Sequence, residues 1–264
     1  MINPDRNTAL LAWFGTEGRH LPWRQSTDAY PVLVSEVMLQ QTQTSRVIPK
    51  FELFIALWPS VESLAVADTG ELLKAWSGLG YNTRAVRLRE AARVITAHGW
   101  PDTVSELQSL PGVGPYTAAA VGSIAFGLDV PALDTNLRRV LSRWAGEPLS
   151  GSDLETFAME VVGSPAGDWN QALMDLGATA CRPREPVCGS CPVSAWCADP
   201  SVYEAPSRQS TFEGSHRQLR GALLRAHVDG DDLHEAVKHL CHTAAEIEKA
   251  LCALHSEGLV GVRG

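Results

Sequence analysis

An all-α fold is predicted for this 264-residue chain. Apolar residues recur at helical spacing through most of the sequence, and no long alternating pattern of the kind a strand needs is present. Pro or Gly also punctuates the chain roughly every 10 to 20 residues, about one helix length. In order, Pro31 opens a helix that runs through VLVSEVMLQQT, to residue 42. Residues 47–57 form the next, ended by Trp58-Pro59. Asp68 or Thr69 caps a helix over 71–76. Residues 83–97 read as amphipathic, with Val86, Ala91, Val94 and Ile95 set against an arginine face and Gly99 beyond the end. Residues 103–110, the turn PGVG and residues 115–126 make a helix–hairpin–helix. Helices follow over 134–144, 152–162 and 169–178. A polar linker is expected over 204–214, then two or three short helices and a small terminal wing.

Four cysteines, Cys181, Cys188, Cys191 and Cys197, stand at C-x6-C-x2-C-x5-C. Gaps this short hold four thiolates near one another, in a segment whose Pro, Gly and Arg content suits a loop wrapped round something. The spacing admits an iron–sulfur cluster or a tetrahedral zinc, with paired disulfides as the plain alternative. It is not the spacing of a zinc ribbon, whose two C-x2-C pairs lie far apart. Cys241 and Cys252 are expected to be buried free thiols.

Composition narrows the function classes. Apolar residues make up 45% of the chain, ample for buried cores, and the net charge is −8. That balance argues against a general nucleic-acid binder. No apolar run is long enough for a membrane span, and no secretory leader pattern opens the chain. Arginine outnumbers lysine 18 to 4 and gathers at Arg84, Arg87, Arg89 and Arg93, at Arg138, Arg139 and Arg143, and at Arg182 and Arg184. Such clusters read either as phosphate-binding patches or as solvated helix faces.

In LPGVGPYTAAAVGSIAF, Gly112 and Gly114 flank a valine, and Pro115 takes a first helical position. Glycine permits the turn and the close approach of another backbone. The exposed N–H groups of such a turn, with the helix N-terminus behind them, form an anion site that fits a DNA phosphate. A plain αα-hairpin is the alternative for the glycines alone.

Three segments, SEVMLQQTQ (35–43), LPGVGPYTA (110–118) and the cysteine loop, stand in the order and spacing of the helix–hairpin–helix DNA glycosylases. LPWR (21–24), GLGY (78–81) and ALMDLGA (172–178) match as well, and SEVMLQQTQ resembles the adenine-removing branch. The resemblance spans about residues 8–200. It implies two helical lobes gripping DNA in a cleft, with a [4Fe–4S] cluster, in preference to zinc, on the four cysteines. It implies an N-terminal segment (1–29) packed with the cluster lobe, a six-helix lobe (30–133), the cluster-bearing lobe (134–200), and a linker with a small C-terminal module (201–264). A monomeric, cytoplasmic bacterial enzyme working at the nucleoid is expected, acting on double-stranded DNA that carries a mispair or lesion, with no membrane partner.

The chemistry expected is removal of adenine opposite 8-oxoguanine or guanine. Cleaving the N-glycosidic bond calls for a proton on the base and an anion beside the cationic sugar, hence two carboxylates in different states. Glu36, mid-helix among apolar neighbours, is the acid candidate; an exposed helix glutamate is the alternative. Asp134 is the anion candidate, or simply a helix N-cap. Asn136 orients Glu36 or its water, and Thr135 departs from the family's usual glycine. Tyr116 stands where related strand-cleaving enzymes carry a lysine, so no Schiff base is expected; a bond from Tyr116 to Asp134 is envisaged. Gln41 would wedge into the duplex, Thr42 touch the opposite purine, and Tyr81 stack beside it. Leu21, Trp23, Arg24, Leu39 and Asp175 would surround the flipped base, although Trp23 and Leu39 also suit a core. The tail is too short for the Nudix-like domain that many members carry. Two other readings remain: a thymine/uracil mismatch glycosylase, and a non-catalytic iron–sulfur DNA-binding protein.

Overall fold

A computed structural model describes residues 3–202 and 211–260 of the chain. Most of the expected linker, and the last four residues of the expected wing, lie outside the described residues. Within them the chain forms α-helices and short 3-10 turns and no strand, and no helix is long and apolar enough to cross a membrane. In order these are α1 (Pro4–Glu17), α2 (Ala29–Leu39), α3 (Thr44–Leu57), α4 (Val61–Ala65), α5 (Thr69–Trp76), α6 (Thr83–His98) and α7 (Val104–Ser109). Then come α8 (Pro115–Ala125), α9 (Thr135–Ala145), α10 (Gly151–Val161), α11 (Ala166–Ala178), α12 (His216–Asp229), α13 (Leu233–Val237) and α14 (Ala244–Ser256).

Local chemistry accounts for many ends. Asp68 caps α5 by accepting from the Glu71 N–H at 3.0 Å, and Thr103 caps α7 from the Glu106 N–H. Gly99 closes α6 at φ 84°. The five-residue α4 is held by a capping box between Ser60 and Ser63, a signal the sequence reading passed over.

The chain divides into two compact units: Met1–Glu36 with Trp100–Pro206, and Val37–Gly99 with Ser207–Gly264. The first has a core of Leu10, Leu137, Val140, Leu141, Trp169, Leu173 and Leu176, from α1, α9 and α11. The helix–hairpin–helix pair α7 and α8 belongs to it because α8 packs on α11. In the second, α12 and α14 bury Leu219, Leu223, Ala250 and Leu254 against Leu73 of α5, with Val86 of α6 packed alongside. The tail thus adds to a core that earlier helices begin.

Several expectations need correction. Helix α2 stops at Leu39, short of residue 42, because Gln41 takes a left-handed backbone (φ 54°) and the last carbonyls bond to a side chain described below. Val94 is 38% exposed; the buried face of α6 is Ala85, Leu88, Arg89, Ala91, Ala92 and Ile95. Cys241 and Cys252 are exposed. On α14 the buried positions are Ala250 and Leu254, and a residue two places from either points to another side of the helix.

Candidate active site

Within the first unit, Glu36, Tyr116 and Asp134 come together from three helices. Glu36, on the third turn of α2, is only 5% exposed. Tyr116 enters at the start of α8 and donates a side-chain hydrogen bond to Glu36, not to Asp134; its hydroxyl also lies 3.8 Å from Met174 Sδ. Glu36 Oε2 is buried with no hydrogen-bond partner. Burial, partly offset by the Tyr116 bond and reinforced by the charge of Asp134, pushes the Glu36 carboxyl up to about 7. Tyr116 is pushed well above the usual phenol range by burial and then by the two carboxylates, so it stays a neutral donor.

Asp134 is the N-cap of α9. Its Oδ1 accepts from the N–H groups of Asn136 and Leu137 at 2.8 and 2.7 Å, and its Oδ2 from Asn136 Nδ2 at 2.9 Å. Burial raises its carboxyl, while these bonds and the charge of Arg139 pull the other way. Asn136 therefore orients Asp134, and no bond from it to Glu36 is formed by the Nδ2 group. Its Oδ1 accepts from Arg139 Nη2 at 2.9 Å, and the same guanidinium donates to the carbonyls of Gly177 and Cys181 at 2.7 and 2.9 Å. Gly177 makes this contact possible: a Cβ there would lie 2.6 Å from Asn136 Cβ.

Arg24 and Asp175 meet directly. Asp175, fully buried on α11, accepts two bonds from Arg24, at 2.7 and 2.9 Å, and two from Arg19, through its backbone N–H and Nε, at 2.8 and 2.7 Å. Burial works to raise this carboxyl, but Arg24 and Arg19 outweigh it and hold it below the usual range. Arg24 also acts electrostatically on Glu36. Leu21 and Trp23, beside it, are buried at 8% and 7% exposure.

The hairpin between α7 and α8 turns at Gly112, whose φ of 79° requires glycine, and Gly114 is the N-cap of α8 with Pro115 following. The four cysteines line one pocket with Trp144, Leu176, Pro186 and Arg143. No three His, Cys, Asp or Glu side chains among the described residues are gathered tightly enough to hold a single metal ion. Burial, and then the neighbouring thiolates of Cys181, Cys191 and Cys188, push the Cys197 thiol up to about 11.

In the second unit, Leu39 ends α2 half-buried, Gln41 and Tyr81 are exposed, and both of the latter have left-handed backbones, with φ of 54° and 46°. Thr42 Oγ1 donates to the Leu79 carbonyl at 3.3 Å, tying the two short loops together.

Sequence reasoning missed Arg19, and it read Arg84, Arg139 and Arg143 as phosphate patches or solvated faces rather than internal ties. Arg19 completes the Asp175 bridge, and Arg139 links Asn136 to the cysteine loop. Arg143, 1% exposed, donates to Cys181 Sγ at 3.1 Å and to the Arg182 carbonyl at 2.8 Å. Arg84 caps α2. Arg89 likewise turns inward, to Ala67 O and Thr69 Oγ1. Arginine clusters read as phosphate patches or solvated faces are thus in large part internal ties, because a five-donor fork satisfies several buried carbonyls at once.

Known proteins resemble this arrangement. Residues 34–162 match the family described as HhH-GPD superfamily base excision DNA repair protein. An adenine DNA glycosylase of Mycobacterium tuberculosis is 42% identical over 234 residues, covering 83% of this chain and 77% of that one. The adenine DNA glycosylase of Homo sapiens is 43% identical over 209 residues, covering 72% of this chain and 38% of that one. A thermostable thymine-DNA glycosylase structure superposes with TM-score 0.68 at 32% identity, over 74% of this chain and 95% of its own. An endonuclease III–DNA covalent intermediate gives 0.62 at 22% identity over 74% of this chain and 93% of its own, a likeness of fold. With two thirds or more of the mycobacterial relative covered at this identity, the chain belongs to the adenine DNA glycosylases of the helix–hairpin–helix base excision repair superfamily.

Proposed function

We propose that this protein excises adenine paired with 8-oxoguanine or guanine in duplex DNA, as a monofunctional glycosylase of base excision repair. The observation that carries the reading is the buried Glu36 carboxyl, raised to about 7, beside Asp134 and hydrogen-bonded by Tyr116. A carboxyl at that value holds its proton in part at neutral pH and can deliver it to a ring nitrogen of the base. Asp134, fixed by three donors, supplies the anion for the oxocarbenium-like sugar. The base leaves with that proton, water adds its oxygen to the sugar carbon, and the proton that water sheds returns to the Glu36 carboxylate. Tyr116 has no amine, so the products are free adenine and an intact strand with an abasic site.

The target base must leave the stack. Gln41 and Tyr81 are the exposed side chains proposed to enter the duplex, with Thr42 at the opposite purine. Leu21, Trp23, Arg24 and Asp175 would shape the base pocket, and the backbone of Gly112 and Gly114 would take a DNA phosphate. The four-thiol pocket fits a [4Fe–4S] cluster on Cys181, Cys188, Cys191 and Cys197. When bound, such a cluster supplies the cationic centre the thiolates need and folds the Arg182–Arg184 loop round itself.

Single-turnover excision on duplexes with A:8-oxoG, A:G, T:G and U:G tests the proposal. Adenine release alone supports it. Release of thymine or uracil favours the mismatch reading, for which the superposed thymine-DNA glycosylase is the supporting observation. Binding with no release from any duplex supports a non-catalytic protein.

A further inference from the structure

Arg84, at the start of α6, makes more hydrogen bonds than one structural tie needs. Its Nη1 donates to the carbonyls of Val37, Met38 and Gln40 at 2.7, 3.1 and 2.7 Å. Its Nη2 donates to Thr42 Oγ1 at 3.2 Å and to the carbonyls of Leu79 and Gly80 at 3.1 and 3.0 Å. One edge of the guanidinium thus closes the C-terminus of α2, and the other closes the 78–81 loop. The plane lies over Trp76 and beside Tyr81, 5.4 and 5.7 Å from the ring centroids. Burial lowers its pKa to about 10, which leaves it charged at neutral pH.

Each half of this clasp carries one non-glycine residue in the left-handed region, Gln41 at φ 54° and Tyr81 at φ 46°. A left-handed backbone is costly for glutamine and more so for tyrosine, and persists only where the surroundings over-determine it. Arg84 bonds the immediate neighbours of both strained residues, Gln40, Thr42 and Gly80, alongside the Thr42 Oγ1–Leu79 and Trp76 Nε1–Gly80 bonds. Both strained side chains are exposed.

We propose that Arg84 is a positioning residue that clasps the end of α2 to the 78–81 loop, so that Gln41 and Tyr81 stand as one pre-strained unit for prising the duplex open. The proposal rests on the glycosylase reading above. Arg84 touches no reacting atom in it; it lowers the cost of extruding the base by ordering two loops before DNA arrives. Lysine cannot replace it, since an ammonium has three donors and no planar fork to serve two loops.

The test compares wild type with Arg84→Lys and Arg84→Met by two readouts. Hydrogen exchange, which needs no activity, should quicken at the amides of residues 40–42 and 79–82 in both variants while α9 and α11 stay protected. Single-turnover excision should fall roughly 10- to 100-fold on an A:8-oxoG duplex, the scale of misplacing a positioning group. The loss should be at least about tenfold smaller for adenine in an unpaired bulge, where no base needs extruding. Unchanged exchange in the two loops, or equal losses on the two substrates, overturns the proposal. If wild type releases adenine from neither substrate, the glycosylase reading fails and the role in base extrusion with it, while the exchange data still report whether the clasp exists. Global loss of protection in both variants would make Arg84 a folding residue and refute the positioning role.

Discussion

Glu36→Gln should abolish excision and yet stabilise the protein, increasingly so as pH rises. The carboxyl is raised from 4.5 to about 7, chiefly by burial. The folded state therefore binds this proton more tightly than the unfolded chain between those values. Stability from this group is complete below about 4.5 and is lost as pH climbs through about 7. A rise from 4.5 to about 7, at about 1.4 kcal/mol per pH unit, amounts to about 3 kcal/mol, most of which appears between pH 5 and 8. Glutamine has no proton to lose and keeps an oxygen for the Tyr116 hydroxyl, so its stability is free of this dependence. Urea melts of both proteins at about pH 5 and pH 8 give the difference directly, and groups common to both cancel. The advantage of the variant should grow by about 2 to 3 kcal/mol across that range. The wild-type excision rate should fall on an alkaline limb centred near 7, as the acid form is lost. A stability difference that is the same at both pH values would mean Glu36 does not titrate there, and the acid assignment would fall with it.

Asp134→Asn should keep the cap of α9 and lose about 0.5 kcal/mol or less, because asparagine caps as well as aspartate, while excision collapses for want of an anion; Asp134→Ala should cost about 1 kcal/mol more in thermal melts. Asp175→Asn leaves Arg19 and Arg24 facing a neutral group, and should cost about 3 kcal/mol by urea unfolding, with weaker excision from a loosened Arg24. Borohydride should trap no covalent complex between wild type and DNA, whereas Tyr116→Lys supplies the missing amine and should yield one on gel analysis. Purified protein should be brown with about four irons and absorb near ~400 nm, and Cys188→Ser should lower the iron content, read by metal analysis.

Elements with local signals were legible in the sequence. Asp68, Thr103 and Gly99 mark helix ends by chemistry confined to one turn, and α5, α6 and α7 begin or end beside them. Glu36 and Asp134 were legible as a pair only through the motifs around them, since neither its burial nor its neighbours can be read from one segment. The arginines were misread for a physical reason. A guanidinium reaches several ångströms from its Cα and can bond any backbone that tertiary packing brings near, so Arg84, Arg139 and Arg143 look in sequence like solvated charge. Helix α4 was missed because five residues give too little periodicity, and Cys241 and Cys252 because a thiol's average preference for burial says nothing of the face on which it stands.

Cap and catalytic anion are commonly weighed as alternatives for an aspartate before a helix, yet in Asp134 each explains the other. Oδ1 is taken by two backbone N–H groups of α9, which fixes the rotamer and places the carboxylate at the positive end of the helix dipole. Oδ2 accepts one further bond, from Asn136, whose own carbonyl oxygen is held by Arg139. The helix end thus does for Asp134 what burial does not do for Glu36: it stabilises the ionised form in a site that otherwise favours the neutral one. Burial pushes both carboxyls up, but only Asp134 is opposed by two backbone donors, the Asn136 side chain and the charge of Arg139, and that asymmetry follows from where α9 begins.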